Sequence, residues 1–480
     1  MTSPPNQMPA HTKLPEPELI FHSERDQDRD VHPLRGLVRY GPYSRSLIAG
    51  VFDPIRVGLI GPRDCGPPIS RLLTELGTPQ RPRERRQYLV DFPGFSSVFG
   101  LRVVLADPGA RAELPEALDS ALESAERPHL VLADAVMRAI ASLQAARNDF
   151  DVVLIFLPDR WEKYFAQNDE DEFDLHDYIK AVTAARGIPS QILRQGRVMT
   201  YPCRCSVMWR LSLALYCKAG GIPWKLASPE PESAFIGLSY AVRTTARRGP
   251  RFVTCCSQVF DSDGAGLEFI AYETDDFHTE RDNPFLSRGE MRRVMARSLT
   301  LYQRRHLGLT PKHVVIHKST EFKEEEIEGC FDVWSGADAV DLLQIQQDTP
   351  WRGIRSDPSH GRPRTPLPAN YPVERGSYVQ LGGKEVLLWT QGNAPSVVGG
   401  GNYFKEGKGI PSPLLLIRFA GHGSWQEGCR SVLGLTKMDW NTDSLYDRLP
   451  VTLGYAQTLA RVVKRMPELE SKPYQFRLFM

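Results

Sequence analysis

The chain has 480 residues, and 59 Lys and Arg against 58 Asp and Glu leave a formal charge of +1. At roughly 100–200 residues per domain there is room for two to four domains, and a composition 41% hydrophobic and 9% aromatic excludes wholesale disorder. Near-balanced charge excludes a uniformly basic nucleic-acid coat, though not a basic groove offset by acid elsewhere.

The opening MTSPPNQMPAHTKLPEPE has no apolar stretch of signal-peptide type, and no run approaches the ~18 apolar residues that span a bilayer. A soluble, cytoplasmic protein that touches no membrane is expected. Residues 1–35 are rich in proline and charge and read as an N-terminal arm. Its one apolar piece, 18–21, is an edge strand without an evident partner. From residue 55 strands and helices alternate: strand 55–60, helix 69–76, strand 101–105, helices 115–124 and 133–146. The run DVVLIFL at 151–157 is continuous and β-branched, as in a buried parallel strand. Helix 175–185 and an extended 191–193 follow, so a doubly wound α/β unit is predicted over 36–230.

A second unit runs from 231 to 480. Strands 233–242, 252–260 and 267–272 form an antiparallel meander. Helix 289–306 and strand 312–317 come next, which is the order of an RNase H-like core. A Pro- and Arg-rich loop between Gln347 and Tyr371 leads to a hairpin, 378–381 with 386–389, turning at Gly382-Gly383. Strand 413–419, helix 455–464 and the tail YQFRLFM close the chain. Eight cysteines are scattered without a CxxC pair. Cys203 and Cys205 lack a second ligand pair at zinc spacing, which fits a reducing compartment.

Two segments carry candidate chemistry. In YCKAGGIPWKL, residues 216–226, Gly220-Gly221 ends a helix and permits close backbone approach, with Lys218 in the last turn; by itself this is a C-cap whose lysine complements the dipole. In HDYIK, His176 and Lys180 lie four apart on one helical face; by itself that pair is a solvated surface. Joined by Gln191 and Lys218 they form a candidate phosphate pocket, since two ammonium groups, an imidazole and an amide supply the donors a phosphate needs.

YCKAGGIPWKL resembles the signature of Argonaute proteins at the junction of their MID and PIWI domains. The order of elements, and the opening LPEPELIF…HPLRGLVRYGPY, are similar to the short prokaryotic members. The resemblance covers most of the chain and is weakest at 345–375. It implies a doubly wound MID domain followed by an RNase H-like PIWI domain, with His176, Lys180, Gln191 and Lys218 at the guide 5′-phosphate positions. It implies a Mg2+ ion joining the guide phosphates to Gln191 and to the terminal carboxylate of Met480. It further implies a guide RNA, a single-stranded DNA target and a heterodimer with an APAZ-domain effector protein. Such an effector, a TIR- or sirtuin-type NADase or a nuclease, would kill or arrest a cell carrying plasmid or phage DNA.

RNase H-type cleavage needs clustered carboxylates around two metal ions about 3.5–4 Å apart. The positions that match the family's carboxylates hold Ser239 in Gly237-Leu238-Ser239, the run His317-Lys318-Ser319-Thr320, and Tyr455-Ala456-Gln457. None is an acid, so no nuclease activity is expected. Asp261, Asp263 and Glu268 read as solvated loop residues. Gly58–Gly66 lacks the Gly-Lys-Ser/Thr of an ATP site, and His422 in AGHGSW reads as a surface histidine. Arg243, Arg247, Arg248 and Arg251, with Arg293, Arg297 and Arg304, would line a nucleic-acid channel; the first four could equally be a solvated hairpin tip. Two other classes remain open: an endonuclease using unconventional carboxylates, and a scaffold indifferent to guide phosphorylation.

Overall fold

Val152–Leu157 is buried along its whole length. It lies between Ser190–Arg194 and Ile55–Gly61 in a five-stranded parallel sheet, which Val103–Leu105 and Arg111–Glu113 complete by pairing with Ile55–Gly61. The computed structural model describes residues 10–47, 50–84, 86, 88–167, 173–227, 232–245, 249–261, 266, 268–281, 283–357, 367–404, 409–465 and 473–480. The continuous apolar run has a plain cause. Val152, Leu154 and Phe156 enter one core with Ile69, Leu72 and Trp209, while Val153, Ile155 and Leu157 enter another with Val136, Ile140 and Ile179. Helices cover both faces, so neither register of the strand can be polar.

The second sheet is ten-stranded and mixed. Ser233–Thr245, Gly249–Asp261 and Glu268–Thr274 form the expected meander, and His313–Lys318 then Ala339–Gln346 add parallel to its first strand. Helices Arg288–Arg305 and Glu324–Trp334 pack on the face bearing Ala234, Ile236 and Leu238. Helix Val451–Val463 packs on the opposite face, in the core that holds Phe235 and Val315. It begins a turn earlier than its periodicity predicts, because Pro450 sets the entry dihedral without needing an amide partner. Among the described residues no helix is long and apolar enough to cross a membrane.

The N-terminal segment departs from expectation. Residues 18–21 are not an unpaired edge: Leu19–Ile20 sits between Arg29–Asp30 and Lys225–Leu226 in a three-stranded sheet, and Leu19 and Phe21 are buried. His11–Lys13 joins the ten-stranded sheet beside Ser377–Gln380. Between these strands Glu16 is buried against Arg375 (3.1 Å) and Lys437 (2.8 Å). Lys437 also donates to the carbonyls of Pro17 and Val31. A strand whose partners lie hundreds of residues away leaves no local pattern, which is why it read as an arm.

Candidate functional site

Helix Leu175–Ala185 starts at Asp174, whose carboxylate caps the Asp177 amide at 3.0 Å. The cap fixes the helical phase, and Lys180 points inward. Helix Arg204–Lys218 stops where Gly220 takes φ +101, a conformation that glycine adopts without strain. A side chain at Gly221 would collide with the Tyr216 ring. The Tyr216 hydroxyl bonds Ser44 Oγ (2.7 Å), which accepts from the Ile222 amide (2.9 Å). The signature glycines thus let the chain fold back against its own helix and hold Lys218 in the final buried turn.

Lys180 and Lys218 are 2% and 1% exposed. Lys180 Nζ donates to the Ser190 carbonyl (2.7 Å) and to the main-chain oxygen of Met480 (2.5 Å). Lys218 Nζ donates to Gln191 Oε1, and the two amines also meet each other. Burial pushes Lys180 down to about 7. Burial and then the charge of Lys180 push Lys218 well below the ordinary lysine range. Two facing amines inside protein do not both hold a proton easily without an anion.

The sign of the resulting pH dependence is fixed. From about 7 up to the ordinary 10.5, the folded chain binds fewer protons than the unfolded one. Stability of the ligand-free chain therefore rises with pH through that window. We expect Lys180→Met to flatten this rise, measured by denaturant midpoints at neutral and mildly alkaline pH. A variant keeping the parent's slope would show that another group titrates.

His176 stands at the rim, 40% exposed on its side chain, with Nδ1 3.2 Å from Asp177 Oδ1. Asp177 is buried and also ion-paired to Arg461 Nε at 2.8 Å. Burial would raise its pKa, but His176 and Arg461 outweigh that and hold the carboxyl below its usual range. Lys180, Gln191 and Lys218 thus converge directly, and His176 joins them one turn away. Sequence reading missed two cations here. Arg461 comes from the last helix, and Arg477 from the tail donates to the Lys218 carbonyl (3.3 Å); the only signal was the basic run at 461–465.

The expected Mg2+ site is not supported by the donor set. Gln191 Oε1 accepts from Lys218 and the Met480 oxygen from Lys180, so each assigned ligand atom already faces an ammonium group. Asp174, His176 and Asp177 offer ligand atoms within 4.8 Å of one another, but the helix cap and the Arg461 pair engage them.

At the nuclease positions, Leu238 is in register with Lys318, which sets Ser239, in the middle of its strand, beside Ser319, just past the end of His313–Lys318. Asp261 pairs with Ala234, five residues away along the strand, or roughly 16 Å. It is held by His306 at 3.0 Å. Glu326, buried near Lys318, is locked to that lysine at 2.5 Å. Glu268 begins a strand and pairs with Gln475, rather than lying in a loop; Asp263 lies outside the described residues.

The arginine channel is only partly placed. Arg243 and Arg251 are cross-strand neighbours, and Arg247 and Arg248 lie outside the described residues. Arg293, Arg297 and Arg304 ride the helix on the sheet face opposite Val451–Val463, and Arg293 is paired with Glu290 at 2.7 Å. The sheet therefore lies between these three and the helix Val451–Val463 that brings Arg461 to the lysine pocket.

No family model matches the chain, and no curated protein does. Solved structures match in fold. Clostridium butyricum Argonaute, bound to a guide DNA and a 19-mer target DNA, superposes with TM-score 0.63 at 16% identity over 95% of this chain and 53% of that one. A. aeolicus Argonaute gives 0.61 at 16% over 98% and 55%, and Drosophila Piwi gives 0.60 at 14% over 98% and 56%. The chain spans just over half the length of these structures, and its fold is the α/β MID–PIWI arrangement they contain.

Proposed function

We propose that the chain is a guide-binding protein of the short Argonaute type, with a MID domain over 36–230 and a PIWI domain over 231–480. It holds the 5′-phosphate of a short guide RNA and pairs that guide with complementary single-stranded DNA of plasmid or phage origin. It does not cut: recognition activates an APAZ-domain effector on a partner chain, an NADase or a nuclease. One observation carries this reading, the meeting of buried Lys180 and Lys218 beside Gln191, with Lys218 on the Gln191 amide oxygen and Lys180 on the main-chain oxygen of Met480. Such a pocket prefers a doubly charged terminal phosphate to an internal diester. The described guide and target DNA of the Clostridium butyricum neighbour is consistent with it. Base pairing would read sequence while the protein reads backbone and end.

Titrating the chain with one oligonucleotide bearing a 5′-phosphate or a 5′-hydroxyl tests the reading. A preference of about tenfold or more for the phosphate is expected. Equal affinities would favour the indifferent scaffold instead.

Absence of slicing is a separate expectation. Ser239→Asp restores one carboxylate, but Ser319 and Gln457 still leave a two-metal site without charge. Incubating this variant with guide, matched DNA and Mg2+ should leave the DNA intact. Robust cleavage would mean that the site is broken in only one place, or that unconventional carboxylates serve it.

A further inference from the structure

We infer that this pocket neutralises a terminal phosphate with two lysine ammonium groups and without a divalent cation. The inference rests on the reading of the pocket as a phosphate site and adds how the charge is met. Gln191 Nε2 donates to the Ile192 carbonyl at 3.1 Å, which fixes the amide's orientation and turns Oε1 toward Lys218. Gln191 therefore presents a metal-ligand atom to a cation that is already covalently in place. Lys180 donates to the Ser190 carbonyl and the Met480 oxygen and also meets the Lys218 amine, so a phosphate oxygen binds there by replacing one of these partners on the three-donor ammonium.

A hard cation such as Mg2+ asks for near-octahedral oxygen ligation at 2.0–2.1 Å. At that distance from Gln191 Oε1 or the Met480 oxygen, the ion would lie within a few ångströms of both ammonium groups, at about the separation of an ion pair but with like sign. The carboxylates that would offset this are engaged by the chain's own cations, the terminal group of Met480 by Lys180 and Asp177 by His176 and Arg461. Phosphate oxygens have no such conflict: they accept from the same amines that repel the metal.

The test uses the full chain and the two oligonucleotides, one 5′-phosphorylated and one 5′-hydroxyl. Each is titrated in millimolar Mg2+ and in excess chelator at matched ionic strength. The expected result is a phosphate preference of about tenfold or more in both buffers. A preference that vanishes in chelator and returns with Mg2+ or Mn2+ overturns the inference while leaving the phosphate site standing. No preference in either buffer overturns the phosphate site itself, and the inference with it. Electron paramagnetic resonance gives an independent arm. Added Mn2+ should show no bound signal that requires the 5′-phosphate; such a signal, lost in Gln191→Ala, would place a metal in the pocket.

Discussion

Changing Lys180 and Lys218 together to alanine will bring the affinities for phosphorylated and hydroxyl guides nearly together. Each charged hydrogen bond to the phosphate contributes about 1.5–3 kcal/mol, or roughly ten- to a hundred-fold in affinity. Both depend on amines that the fold buries, one in the middle of helix Leu175–Ala185 and one at the end of helix Arg204–Lys218. Among the described residues of the direct cluster these amines are the cationic donors, since Gln191 is neutral, the Met480 oxygen only accepts and His176 stands at the rim. Arg293→Ala with Arg304→Ala supplies the contrast. Those residues sit across the sheet from helix Val451–Val463, so the ratio between the two guides should not move, whatever happens to overall affinity. Parallel titrations of both variants decide the matter. If the double lysine variant still prefers the phosphate as strongly as the parent, the pocket is misassigned.

Glu16→Ala should destabilise the fold strongly. The Glu16 carboxylate accepts from Arg375 and Lys437, whose side chains are 0% exposed. Removing it strands two buried cations, and breaking a buried pair costs about 3–5 kcal/mol. Burial alone would raise the Glu16 pKa, but Arg375 and Lys437 outweigh it and hold the carboxyl below its ordinary value. This stabilisation is therefore complete above the ordinary glutamate range and is lost as pH falls through the depressed folded value. Lys13→Ala breaks a half-exposed pair with Glu374 and should cost less than about 1 kcal/mol. Denaturant midpoints for the two variants rank them. Equal, small losses would show that Glu16 does not hold the segment down.

These sites differ in how openly the sequence announces them. Val152–Leu157 and Arg288–Arg305 were legible because their residues repeat with the period of the element they form. Helix Glu324–Trp334 was passed over. Its buried face uses Glu326, Gly329 and Cys330, and Gly329 is there because a Cβ would strike the Arg288 carbonyl on the neighbouring helix. Strand Ala339–Gln346 was hidden by Asp341 and Gln344. Both are buried, one held by His313 and Arg418, the other reaching the Ser319 carbonyl. In the pocket, Lys180, Gln191 and Lys218 could be picked out by residue type and local spacing. Arg461 and Arg477 could not, because they arrive from the far end of the chain. The same distance hid the pairing of residues 18–21 with 225–226.

That stitching also sets an order of events during synthesis. Glu16 leaves the ribosome early, yet Arg375 is 359 residues behind it, and the lysine that holds Pro17 is 420 behind. At roughly 5–20 residues per second, the segment waits on the order of 20–80 s for its last partner. Until then Leu19 and Phe21, fully covered in the finished protein, have only local cover from Arg29–Asp30 and the Tyr40 ring, and the contacts that finish their burial have very long sequence separation. That early-made segment is thus completed late, and faster production in a cell raises the number of molecules caught with it unfinished.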